Sequence, residues 1–161
     1  MLDPLVKIID VPCAQAMAFE VFIAEMDTWW PLGIFTTSAM NGAPARGIQI
    51  EAREGGTIIE IGSDGTETLW GHIEHYEPHH RLALRFHIPR PGEEVDQRSL
   101  VEVTFTPLSL SETRVQLSQS DWEAFGSRAK DMQGGYGGGW DKIFTIAYKT
   151  ACETRAPYQK G

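Results

Sequence analysis

Between Gly55 and Ile88 the chain reads GGTIIEIGSDGTETLWGHIEHYEPHHRLALRFHI, which predicts three consecutive antiparallel strands joined by two tight turns. The first turn is Ser63-Asp64-Gly65-Thr66, where Asp-Gly supplies the positive φ angles that a short hairpin requires. The second is Glu77-Pro78-His79-His80, where proline presets φ and ends the strand before it. In the third strand Leu82, Leu84, Phe86 and Ile88 fall on one face and Ala83, Arg85 and His87 on the other. A period of two describes a sheet with one face buried and one wet.

The flanking segments extend this pattern. Leu5 to Val11 predicts a first strand ended by Pro12, and Phe19, Phe22, Ile23 and Met26 mark one face of a helix that stops at Trp29-Trp30-Pro31. Leu32 to Arg46 suits a crossing loop or short helical turns, and Gly47 to Arg53 alternates again. Pro89 to Asp96 reads as a mobile acidic loop. Two strands follow, Leu100 to Thr106 and Thr113 to Ser120, with Val101, Val103, Phe105, Val115 and Leu117 inward. From Trp140 to Ala151 the apolar spacing is helical again. The expected fold is therefore α+β: a curved seven-stranded antiparallel sheet wrapped around a long C-terminal helix, with two short helices after the first strand, the helix-grip arrangement. A sheet bent in this way leaves room for a cavity between its concave face and the helix.

At 161 residues a single domain over residues 1–161 is the simplest reading, and such a chain buries about 70% of its unfolded surface. The 14 Lys and Arg against 22 Asp and Glu give a net charge of -8, the wrong sign for nucleic acid or an anionic membrane. No apolar run approaches the roughly 20 residues of a membrane span, and Met1 to Pro12 lacks the pattern of a secretion signal. A cytoplasmic protein is the expectation. Cys13 and Cys152 lie far apart without a C-x-x-C pair, and read as reduced, partly buried residues.

The ordered set Trp29-Trp30-Pro31, Gly55-Gly56, Asp64-Gly65-Thr66, Trp70-Gly71-His72-Ile73, Glu77-Pro78 with Arg81-Leu82, Val101 to Phe105, Thr113-Arg114-Val115 and Gly139-Trp140-Asp141 spans nearly the whole chain. It resembles the SRPBCC (START and Bet v 1-like) superfamily and, within it, the homologues of the activator of the heat-shock-protein ATPase. The resemblance implies a cavity for a hydrophobic small molecule. It also leaves two other functions open: a polyketide cyclase or hydrolase using the same cavity, and a co-chaperone-like interaction module.

Candidate site residues follow from composition and parity. Trp30, Phe35, Trp122, Tyr136 and Trp140 are placed at the cavity mouth and helix, the apolar material of a ligand pocket. With Phe86, Val103 and Phe144 they are expected to hold an apolar or aromatic ligand, oriented by Gln119, which shares inward parity with Val115 and Leu117. Relatives often carry His at the position of Gln119; an amide cannot take over a base's role there. Glu60 reads as an inward acid or, preferably, a solvated strand residue, and His72 is a second polar candidate. His72, His75, His79, His80 and His87 do not converge by parity, so no metal is expected, and no cofactor or nucleophile motif is present.

Two further expectations concern motion and assembly. Gly134 to Gly139 should weaken the start of the last helix, at about 1 kcal/mol per glycine relative to alanine, and let it gate the cavity. Trp70 and Tyr76 fall opposite Ile73, an exposed aromatic pair that would support a homodimer, unless a bulge at Gly71 turns Trp70 inward.

Overall fold

The computed structural model describes residues 2–155. Strands β1 (Leu5–Val11), β2 (Gly47–Ile50), β3 (Thr57–Ile61), β4 (Glu67–Glu77), β5 (Arg81–Phe86), β6 (Ser99–Ser109) and β7 (Glu112–Ser120) form one antiparallel sheet in the order β1-β7-β6-β5-β4-β3-β2. Three short helices cross between β1 and β2: α1 (Gln15–Ile23), α2 (Met26–Trp29) and α3 (Thr37–Met40), one more than expected. After β7 a 3-10 segment, Trp122–Arg128, leads into α4 (Ala129–Lys142), a π-helical stretch (Ile143–Tyr148) and α5 (Lys149–Arg155), which run on as one long helix. This is the helix-grip fold. Among the described residues no helix is long and apolar enough to cross a membrane.

The core lies between the concave sheet face and this helix. Val101, Val103, Phe105, Val115 and Leu117 are buried from the sheet side, as parity predicts, and Trp140, Ile143, Phe144 and Tyr148 from the helix side. The helix starts eleven residues before Trp140, through the glycine-rich stretch. Met132, Tyr136, Trp140 and Ile143 recur at helical spacing on the face turned to the fold, and such tertiary packing outweighs poor propensity. Cys13 and Cys152 are buried and unbridged.

Strand β4 departs from simple alternation. Ile58 pairs with Gly71 but Ile59 with Leu69, so Trp70 is the extra residue of a β-bulge. Only glycine fits beside it: a Cβ at Gly71 would stand 1.7 Å from the Arg85 carbonyl oxygen. The bulge turns Trp70 fully inward, and a second irregularity between Ile73 and His75 brings Tyr76 against Phe19 at 5.4 Å between ring centroids. The exposed aromatic pair expected to support a homodimer does not exist on this face. Strand β2 ends at Ile50, short of Arg53, because Arg53 folds back with its N–H on the Glu51 carbonyl.

Candidate functional site

Aromatic rings occupy the space where the cavity was expected. Trp30 lies 5.0 Å from Trp70, 6.0 Å from Trp140 and 6.3 Å from Phe86, measured between ring centroids. Val103 and Phe144 are completely buried in the same core. Trp30 Nε1–H donates to the Phe35 carbonyl at 2.8 Å, which ties the loop after α2 to this cluster. Gln119 is also committed internally. Its Oε1 accepts from Trp140 Nε1–H at 2.7 Å, its Nε2–H donates to Ser99 Oγ at 2.9 Å, and Ser99 Oγ–H passes the bond to the Phe86 carbonyl at 2.7 Å. Such a chain holds sheet to helix. Trp122 packs against Phe125 and Tyr136, its indole N–H buried without a partner among the described residues.

An open pocket lies instead at the mouth of the grip, between α4, the segment 34–40 and the end of β5. It has a volume of about 260 Å³ and is walled mainly by Phe35, Ile88, Met132, Tyr136 and Ile143, with Gly135 and Gly139 thinning the helix wall. Ile34 and Met40 stand exposed at its rim. Of the expected ligand-binding residues, Phe35 and Tyr136 border this pocket; Trp30, Phe86, Val103, Gln119, Trp122, Trp140 and Phe144 lie behind it.

The polar edge of the pocket is a chain of three side chains. Glu93 lies 3.1 Å from His87 Nε2, and His87 Nδ1 lies 2.9 Å from the Tyr136 hydroxyl, which accepts the Ile88 N–H at 2.8 Å. His87 is only 2% exposed, with the Phe125 ring 4.7 Å away. Burial pulls its imidazole below the ordinary 6.5, against the opposing pull of Glu93, so the ring is neutral near neutral pH. Burial raises Glu93, but the Arg90 N–H, His87 and Arg128 together hold it below the ordinary 4.5. Desolvation pushes the Tyr136 phenol well above 10. An ionised carboxylate only accepts, so His87 Nε2 carries the proton, Nδ1 is bare, and Tyr136 donates to it.

Glu60 corrects another expectation. It is 1% exposed, not solvated, and its carboxylate accepts from Thr37 N–H and Ser38 N–H at 2.8 Å each and from Trp70 Nε1–H at 3.0 Å. It anchors the start of α3, and with it the pocket's outer wall. His72 is exposed on β4 and takes no part in the cavity. Among the described residues no three His, Cys, Asp or Glu side chains converge as a metal site.

The family model described as "Activator of Hsp90 ATPase homolog 1-like protein" matches residues 19–146. The chain belongs to that family. This places it in the SRPBCC superfamily, as its sequence resemblance implied. Similar solved structures include an anthrahydroquino-Gama-pyrone synthase, Txn09, complexed with SUM, at 26% identity and TM-score 0.62, covering 94% of this chain and 97% of that one. The self-sacrificing resistance protein CalC from Micromonospora echinospora aligns at 18% identity and TM-score 0.62, over 97% of this chain and 95% of its own. Protein NE0264 from Nitrosomonas europaea shares the fold at 10% identity and TM-score 0.64, over 99% and 100%. No curated protein matches the chain.

For this member of the Activator of Hsp90 ATPase homolog 1-like family, alternation puts His87 on the wet face with Ala83 and Arg85, whereas it is buried at the pocket's edge beside Glu93, which the sequence reading did not single out. Strand β5 stops at Phe86, so parity no longer applied to His87. One signal for Glu93 was present. Arg90-Pro91-Gly92-Glu93 carries proline and then glycine at the centre of a turn, and the structure closes it with Glu93 N–H on the Arg90 carbonyl at 3.0 Å and Gly92 at φ +78°. That turn returns the carboxylate to His87 in a loop that composition alone marks as mobile.

Proposed function

We propose that this protein binds an apolar or aromatic small molecule at the mouth pocket. The observation that carries this reading is the apolar opening of about 260 Å³ between α4 and the segment 34–40, closed at one edge by hydrogen-bonding groups. Small-molecule sites usually begin near 300 Å³, so this volume suits one or two fused rings rather than a long chain. The likeness over nearly the whole chain to a 26%-identical anthrahydroquino-Gama-pyrone synthase, named for making a ring compound, supports the same reading. Gly135 lines the pocket, and a Cβ there meets nothing within 4 Å, so Gly135→Leu fills the site without straining the helix. In thermal-shift screening against flavonoids, fatty acids and polyketide-like aromatics, a ring compound at a hundredfold excess over Kd should stabilise the protein by about 2.7 kcal/mol, several degrees in Tm. Gly135→Leu should abolish that shift. A shift that survives the substitution places binding elsewhere; no shift with any compound removes the reading.

A second reading, an enzyme of the cyclase or hydrolase type, is favoured by the Glu93-His87-Tyr136 chain. A hydroxyl backed by an imidazole and a carboxylate is suited to moving a proton at the edge of an apolar site.

A further inference from the structure

The polar end of the mouth pocket keeps one hydrogen-bonding position in reserve, and the groups behind it dictate its sense. Tyr136 Oη accepts the Ile88 N–H and gives its own proton to His87 Nδ1. His87 Nε2–H is committed to Glu93, whose carboxylate is steadied by the Arg90 N–H at 2.9 Å and by Arg128 Nη1 at 3.4 Å. Among the described residues the phenol is left with a lone pair and no free proton. A ligand that meets Tyr136 Oη must therefore bring a donor.

We propose that Tyr136, backed by His87 and Glu93, is an acceptor pole that makes the pocket select ring compounds bearing a hydroxyl, phenols or enols, over the same rings without one. This rests on the reading that the mouth pocket holds a ring compound. An unmet acceptor in an apolar site carries a desolvation cost, so an ether of the same shape, which cannot donate, is discriminated against.

The pole has a built-in sense of direction. The charged and titratable groups facing His87 are Glu93 from the 89–98 loop, Arg98 before β6, Arg128 at the head of α4 and the Tyr136 hydroxyl. The two arginines and burial oppose an imidazolium, and Glu93 favours it. When acid does protonate the ring, Nδ1–H donates to Tyr136 Oη, and the phenolic proton must swing away from the imidazole. The pole then offers a donor, and the preference for hydroxylated rings weakens.

The test measures Kd for 2-naphthol, 2-methoxynaphthalene and naphthalene by calorimetry. Near pH 7.5 the wild type should bind 2-naphthol about tenfold more tightly than the ether. In Tyr136→Phe the ratio should collapse to about twofold or less. Glu93→Gln preserves shape; with its oxygen on the Arg90 N–H it turns its amide N–H toward Nε2, drives the proton to Nδ1 and should also lower the ratio. That variant decides the matter if Tyr136→Phe does not fold. The wild-type ratio should fall on acidification toward pH 5.5. Equal affinities for naphthol and ether in the wild type, or a ratio that both variants leave intact, would overturn the acceptor pole while naphthalene binding keeps the pocket reading. No binding of any of the three removes the pocket reading and the pole together.

Discussion

Glu60 carries the pocket wall on one carboxylate. Its three acceptor bonds go to Thr37 N–H, Ser38 N–H and Trp70 Nε1–H, and the indole donor is completely buried. Glu60→Ala leaves these donors without their partner and should cost about 2–4 kcal/mol in urea unfolding, with looser binding at the mouth because α3 loses its anchor. Glu60→Gln keeps one oxygen and turns an N–H toward a donor, so its loss should fall between wild type and alanine. A cost under about 1 kcal/mol for alanine would mean that water replaces the carboxylate. The residue also shows where reading by parity ends. Composition presents an acid on a strand, and an acid on a strand is usually wet. Burial became favourable only because a helix N-terminus and a tryptophan, 22 to 23 residues upstream and 10 downstream, converge on it.

At the scale of elements, α4 is held by its contacts rather than by its own propensity. Gly137 and Gly138 lie inside it, and added methyl groups there meet nothing closer than the Leu5 side chain at 3.7 Å from Gly137. Gly137→Ala with Gly138→Ala should therefore raise stability by about 1 kcal/mol per site. If the loose glycine segment gates the pocket, the same double variant should bind its ligand with a lower association rate and show slower amide exchange over 134–139. Unchanged rates with raised stability would leave the segment as a wall and not a gate. Strand β4 teaches a related lesson. Simple alternation puts Trp70 on the outer face and a bulge at Gly71 puts it inward; the bulge is what forms, and its cause is a close approach of two backbones that the pairing with β5 reveals.

For the whole molecule, acid should loosen the mouth first. Folded His87 holds its imidazole below the ordinary 6.5, so between that value and the folded pKa the unfolded chain binds a proton that the folded one does not. Stability then rises with pH through this window, and His87's contribution is lost as pH falls through the folded pKa. Glu93, held below 4.5, adds a loss of the same sign at lower pH. Calorimetric Tm should fall as pH is lowered from about 7.5 toward 5, and His87→Gln should flatten the part of the slope just below 6.5. An unaltered slope in that variant would assign the effect to other groups.

Alternation of apolar residues, the Asp64-Gly65 and Pro78 turns and the helical spacing from Trp140 to Ala151 are short-range signals, and they determined the strands, their antiparallel pairing and the helix that the sheet grips. The ordered motifs along the chain were enough to place it in its family. Tertiary structure alone decided that Trp30, Trp70, Phe86 and Trp140 fill the middle of the grip, that the opening lies at its mouth, and that Glu93, His87 and Tyr136 meet there. The physical reason is range: periodicity reports which face a side chain takes within its own element. Whether facing side chains fill a cavity, and which polar groups finally meet, depends on volumes and donors contributed by segments distant in sequence.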